Sequence, residues 1–242
     1  MSGQHDVQRR LLSEPRLKPY LDEAKDDLES AWSVYLWANE LAGALHAQIS
    51  LVEIAVRNSI ERELRNWNIS QSGTSEWTLK DQAKEPLYTL LKDDLNKARR
   101  AARRDANARA TGHPRRGATP THNDVVAQLM FGTWVKALQP LSKEEPEGRQ
   151  KQLWADGLNA AFPGAGQSDA GRRKLGQQLD SIRRLRNRVA HHDNLLNVKV
   201  GHRLNEMLSL VHKANPTYPR LVMANSRVRK IAREDPRRTW TV

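Results

Sequence analysis

The segment Arg186-Asn187-Arg188-Val189-Ala190-His191-His192 concentrates the residue types that can cleave an RNA phosphodiester without a metal. Such cleavage takes a proton from the 2′-hydroxyl, gives one to the leaving oxygen and neutralises charge that builds on phosphorus. Histidine titrates near pH 6.5 and serves as base or acid, Arg186 is a permanent forked cation, and the Asn187 amide can orient an imidazole or a phosphate oxygen. Asn187 and His191 stand four residues apart and share a helix face. Arg186 is one step round, with a side chain long enough to reach the same place. One segment supplies one histidine pocket, so a two-fold dimer with two helix ends across a cleft would complete a composite site.

Spacing alone decides little. In a chain this rich in arginine the pattern recurs by chance: Arg115 and Arg116 precede His122 at similar spacing. A histidine near a helix C-terminus also interacts favourably with the helix dipole, and Asp193-Asn194 can simply end the helix. On residue types alone this structural role for His191 and His192 is the stronger reading.

The formal charge of +12 over 242 residues, with a pI near 10.2, points to a polyanionic partner, nucleic acid first. Solubility and an anionic membrane surface are the alternatives. No stretch approaches the roughly 20 apolar residues of a membrane span, and the amino terminus lacks a secretory pattern, so a cytoplasmic protein with no membrane partner is expected. The absence of cysteine excludes a disulfide framework, a thiolate nucleophile and Cys-ligated metal. Eight scattered histidines show no His-Glu-x-x-His spacing, so neither metal nor cofactor is expected.

The elements that must position the segment are helices, and the fold class is all-α. Leu41, Leu45, Ile49, Val52, Val56, Ile60, Leu64 and Trp67 form one stripe of a long helix over 27–67, with a break expected near Asn39. A second helix from Pro86 through Ala102 turns basic at Arg99, Arg100, Arg103 and Arg104, residues that either contact phosphate or form a solvated face. Gly and Pro make 111–122, with Arg115 and Arg116, a flexible surface loop. A helix over 123–138, capped by Asn123, holds Gly132, read as close packing or a bend. Helices over 149–162, 172–192 and 199–213 follow, and the tail after Pro219 is either a terminal helix or a basic arm. Leu175, Leu179, Ile182, Leu185 and Val189 are the buried stripe of 172–192. The organisation expected is an amino-terminal extension (1–26), a helical domain (27–213) and a basic carboxy-terminal tail (214–242).

Three segments together resemble the Abi-like (abortive infection) family of bacterial proteins, within the HEPN superfamily. They are the Arg-Asn…Ala-His-His stretch in 179–197, Phe131-Gly-Thr-Trp134 in 124–138, and Glu53-Ile-Ala-Val-Arg57-Asn58 in 50–60. The resemblance implies a HEPN-like helical bundle with additional helices. The implied activity is metal-independent endoribonuclease cleavage of phage-defence or toxin type, by a homodimer restrained by an antitoxin protein or a regulatory RNA. It matches Arg186 and His191 to the catalytic pair and Asn187 to the polar residue after the Arg, with His192 able to substitute. It also sets Glu53, Arg57 and Asn58 beside the active helix, whereas spacing alone makes Glu53 and Arg57 a surface ion pair worth about 0.3–0.5 kcal/mol. A non-catalytic RNA-binding or interaction module on the same scaffold is the alternative; the intact Arg186, Asn187 and His191 set favours the enzyme.

Overall fold

A computed structural model describes residues 2–72, 74–142 and 144–240. Its helices are α1 (Ser2–Leu12), α2 (Glu14–Glu23), α3 (Leu28–Ser72), α4 (Leu87–Ala108), α5 (His122–Ala127), α6 (Phe131–Lys136), α7 (Gly148–Ala155), α8 (Asp169–Ala190), α9 (Val200–Ala214), α10 (Tyr218–Met223) and α11 (Val228–Arg233). Short 3-10 turns lie at Leu158–Ala161, Pro163–Ala165 and Pro236–Thr239. No strand occurs among the described residues, and the fold is all-α.

The axis of the molecule is α3, which at 45 residues runs roughly 67 Å at 1.5 Å per residue. Every residue of its expected stripe, Leu41 through Trp67, is buried, and α2, α8, α9 and α11 pack around it. No break occurs at Asn39. The buried row continues through Ala31, Val34 and Ala38, and the Trp37 indole donates to the Ile231 carbonyl at 2.8 Å, so packing holds this stretch helical.

The helix expected over 123–138 is two short ones. Thr121, not Asn123, caps α5: its hydroxyl accepts from the Asp124 amide while the Asp124 carboxylate accepts from the Thr121 amide at 2.8 Å, a reciprocal capping box. Met130 is extended, and α6 restarts at Phe131. In one continuous helix Leu129 and Phe131 would point about 200° apart; the break lets both be buried. Close packing does not require Gly132, since a Cβ there would lie an ordinary 3.8 Å from Arg183 Cδ, and the bend in this stretch falls just before it, at Met130. Gly171 is the demanding position, where a Cβ would come within 2.4 Å of the Ala165 carbonyl oxygen as the first turn of α8 presses on 163–165.

Both ends of the described chain join the common core. Leu12, Leu17, Tyr20 and Leu21 are buried in the same apolar cluster as Val222, Val228 and Ile231. The tail folds as α10, α11 and a 3-10 turn rather than a free arm, tied by the Gln48 amide donating to the Val222 carbonyl at 3.0 Å. Arg237 adds ties to Glu23 and Asp235, each at 2.8 Å.

Candidate active site

The site is one end of α8, and the other end is anchored. Ser168 caps α8 by accepting from the Gly171 amide at 3.2 Å. Arg172, fully buried, donates to Asp169 at 2.7 Å, to Glu147 at 2.6 Å and to the Leu138 carbonyl. These bonds hold Asp169 below the usual carboxylate range, the Arg172 hydrogen bond being the largest cause. Between the ends, Leu175, Leu179, Ile182, Leu185 and Val189 are all buried, as their spacing predicts.

At its C-terminus α8 closes in a Schellman motif. The Asp193 amide donates to Arg188 at 2.9 Å, the His192 amide to Val189 at 3.2 Å, and the His191 amide to Asn187 at 2.9 Å. The left-handed position that glycine usually fills belongs to His192, at φ 55°; histidine is among the side chains that tolerate it better. Two long-range bonds fix the turn. Arg16 of α2 donates to the His192 carbonyl at 2.7 Å, and Arg188 donates to the Asn194 carbonyl.

His191 and His192 are both exposed, and Arg186 and Asn187 are half-buried beside them. No side-chain hydrogen bond joins Arg186 or Asn187 to either histidine among the described residues. His192 lines a depression of about 320 Å³ with Arg16, Pro19, Tyr20 and Asp193, between α2 and the end of α8. Glu53 of α3 sets its Oε2 3.9 Å from the Arg186 Nε, with both groups largely shielded from solvent. The Glu53–Arg57 ion pair that spacing suggests does not form among the described residues; Glu53 turns to the neighbouring helix. Arg57 is half-buried and Asn58 exposed. The geometry offers a cation with a carboxylate beside it, an amide and a solvent-facing imidazole at one rigidly terminated helix end, groups able to hold a phosphate and move protons at it.

The basic residues divide into two kinds. Arg99 donates to the Thr78 and Leu79 carbonyls at 2.6 and 2.7 Å, and burial pushes its pKa down. Arg103 donates to the Gly117 and Ala118 carbonyls, Arg116 to the Thr111 hydroxyl, and Arg115 pairs with Asp124. These bonds, with the Gly117 amide donating to Ala106 at 2.9 Å, fold segment 111–122 back onto α4 in place of the free loop its composition predicts. Arg100 and Arg104 are exposed and pair with no carboxylate among the described residues. The chance match ending at His122 is structural: its ring bridges the Thr78 hydroxyl and Glu61, each at 2.8 Å, and is 5% exposed.

A family model described as Abi-like protein matches residues 11–197, which take in α2 through the end of α8. The chain belongs to the Abi-like family. The match includes α2 with Arg16, Glu53 on α3 and the Arg186–His192 segment, so the whole helix end just described lies inside the Abi-like region. No curated protein and no solved structure matches the chain. No helix among the described residues is long and apolar enough to cross a membrane, and no three His, Asp or Glu residues gather to hold a metal ion.

Arg16 and Glu53 reach the site only through tertiary contacts. The sequence carried a cue for Glu53 in its Glu-x-x-x-Arg-Asn spacing, and none for Arg16, which comes 176 residues before the carbonyl it holds.

Proposed function

We propose that this Abi-like protein is a metal-independent endoribonuclease of phage-defence or toxin type, on a HEPN-like scaffold, acting in the cytoplasm as a homodimer. The observation that carries the reading is the joint placement of Arg186, Asn187 and His191 at a helix end that the fold fixes from α2 and α3. In this mechanism His191 of one copy removes the 2′-hydroxyl proton and the freed oxygen attacks phosphorus. The bond to the 5′-oxygen breaks, and a second copy's His191 protonates that oxygen. Arg186, steadied by Glu53, neutralises the charge on the pentacoordinate phosphate, and Asn187 orients a phosphate oxygen. The products are a 2′,3′-cyclic phosphate and a 5′-hydroxyl. Unrestrained cleavage would damage the host, so an antitoxin protein or a regulatory RNA is the expected partner.

The test is incubation of purified protein with mixed RNA in excess EDTA, beside His191→Ala. Cleavage by wild type that falls at least about 100-fold in the variant is expected from the loss of a general acid–base group. RNA binding without cleavage under any condition would instead assign the scaffold a non-catalytic RNA-binding role.

A further inference from the structure

A second cluster of charge lies on α8 away from the histidine end. Between the second half of α8 and the start of α9 is a pocket of about 450 Å³ lined by Ser181, Arg184, Arg188, Lys199, His202 and Arg203, among others, with no carboxylate in its wall. Arg184 and Arg188 are one turn apart on α8, and Lys199 and Arg203 one turn apart across the crevice. Like charges at that spacing destabilise a helix unless an anion lies between them. The neighbouring carboxylates stand outside the pocket and are too few. Asp180 takes Arg184 at 2.9 Å and Glu206 takes Arg203 at 2.7 Å and lies 3.5 Å from His202, leaving the four Lys and Arg cations against two anions.

Two of the four are already aimed. Arg188 is held by the Asn194 carbonyl, and Arg203 by the Ser181 hydroxyl and Glu206. Arg184, with 76% of its side chain exposed, and Lys199, exposed and without a carboxylate partner among the described residues, stand at the mouth. Fixed forked donors at the back and solvent-exposed cations at the rim suit an oxyanion of tetrahedral geometry. The pocket adjoins the turn after His192, because Arg188 both lines it and binds Asn194.

We propose that this pocket binds a backbone phosphodiester of a single-stranded RNA that lies across the end of α8, next to the phosphate at His191. The assignment rests on the chain binding RNA and is independent of whether it cleaves. It is tested on the full-length protein with a fluorescent 2′-O-methyl RNA 12-mer, which cannot be cut, so that a failure of catalysis leaves the measurement intact. Arg184→Gln and Lys199→Gln, at exposed positions that keep the fold, should each weaken binding about 5-fold. Each should also lower the slope of log affinity against log salt by roughly 0.7 for every phosphate that is no longer neutralised. Arg184→Lys should restore the slope, and Arg229→Gln on α11, also exposed but outside the pocket's lining, should change affinity less than 2-fold; melting temperatures verify folding. The effect should be equal for 5′-hydroxyl and 5′-phosphorylated oligonucleotides. A loss confined to the 5′-phosphorylated strand, or competition by AMP that the same variants abolish, would assign the pocket to a terminal phosphate and overturn the proposal, as would Gln variants that behave like the Arg229 control.

Discussion

Arg172→Met is the sharpest probe of how the fold positions the helix that carries Arg186 and His191. The guanidinium is fully buried in the first turn of α8, 14 residues and roughly 21 Å from Arg186; two of its three bonds join α8 to the segments carrying Leu138 and Glu147, and the third, to Asp169, stays within α8. Methionine replaces the apolar stem but none of the bonds. The Leu138 carbonyl, on a fully buried residue, loses the bond that Arg172 makes to it, at about 1–3 kcal/mol. Asp169 and Glu147 are 25% and 44% exposed and keep Arg173 at 3.0 and 3.2 Å, so their loss adds about 1 kcal/mol at most. The sum is about 1–4 kcal/mol, a fall of about 2–16 °C in Tm for a chain of this length. Circular dichroism at 222 nm measures it. Asp169 adds a second signature: its carboxyl is depressed in the folded state, so its stabilising share is present above the ordinary value of 3.8 and is lost as pH falls below it. The gap between wild type and variant should therefore narrow in acid. A drop under about 1 °C, or a rise, would mean that relieving the buried cation's desolvation cancels its bonds; the apolar stripe alone would then hold α8.

Further outcomes follow from the same structure. His192→Gly places glycine where φ is already positive, so stability should stay within about 1 kcal/mol of wild type and cleavage should persist; cleavage lost here but kept in His191→Ala would reverse the histidine assignment. His122→Ala removes the bridge between Thr78 and Glu61 and should cost about 1–3 kcal/mol in urea unfolding while RNA affinity holds; weakened RNA binding at unchanged stability would make the residue a contact instead. Asp124 is held far below the ordinary carboxylate value, first by the Thr121 amide and then by Arg115, so its full contribution is present above pH 3.8, starts to fall beneath it and is lost only as pH drops through the much lower folded value. Asp124→Asn should thus be less stable than wild type at pH 7, with the gap narrowing only in part by pH 3 and further in stronger acid, and a gap that stays constant below pH 3.8 would contradict the capping role.

Regular periodicity made the scaffold legible. The rows Leu41 to Trp67, Leu87 to Ala102 and Leu175 to Val189 are buried as their spacing requires, because a 3.6-residue repeat is a local property of the chain. The same repeat failed at 128–130, where Leu129 and Phe131 each demand burial and only a helix break satisfies both. The site was legible as a set of residue types but not as an arrangement. Glu53 prefers Arg186 to its own-helix neighbour Arg57, and Arg16 arrives from the opposite end of the chain. Arg99 looked like a phosphate contact because its partners, the Thr78 and Leu79 carbonyls, are backbone groups that carry no side-chain signature. The pocket of Arg184, Arg188, Lys199 and Arg203 is assembled from two helices and is invisible along either one.

The chemistry of the cut ends tests the central claim most directly. RNA incubated with the purified protein in EDTA should carry 2′,3′-cyclic phosphate and 5′-hydroxyl termini, and a single 2′-deoxy nucleotide before the cleaved bond should block the cut. Fragments ending in 3′-hydroxyl and 5′-phosphate, or efficient cleavage at the deoxy position, would show that water rather than the 2′-oxygen attacks and would contradict the roles given to Arg186 and His191.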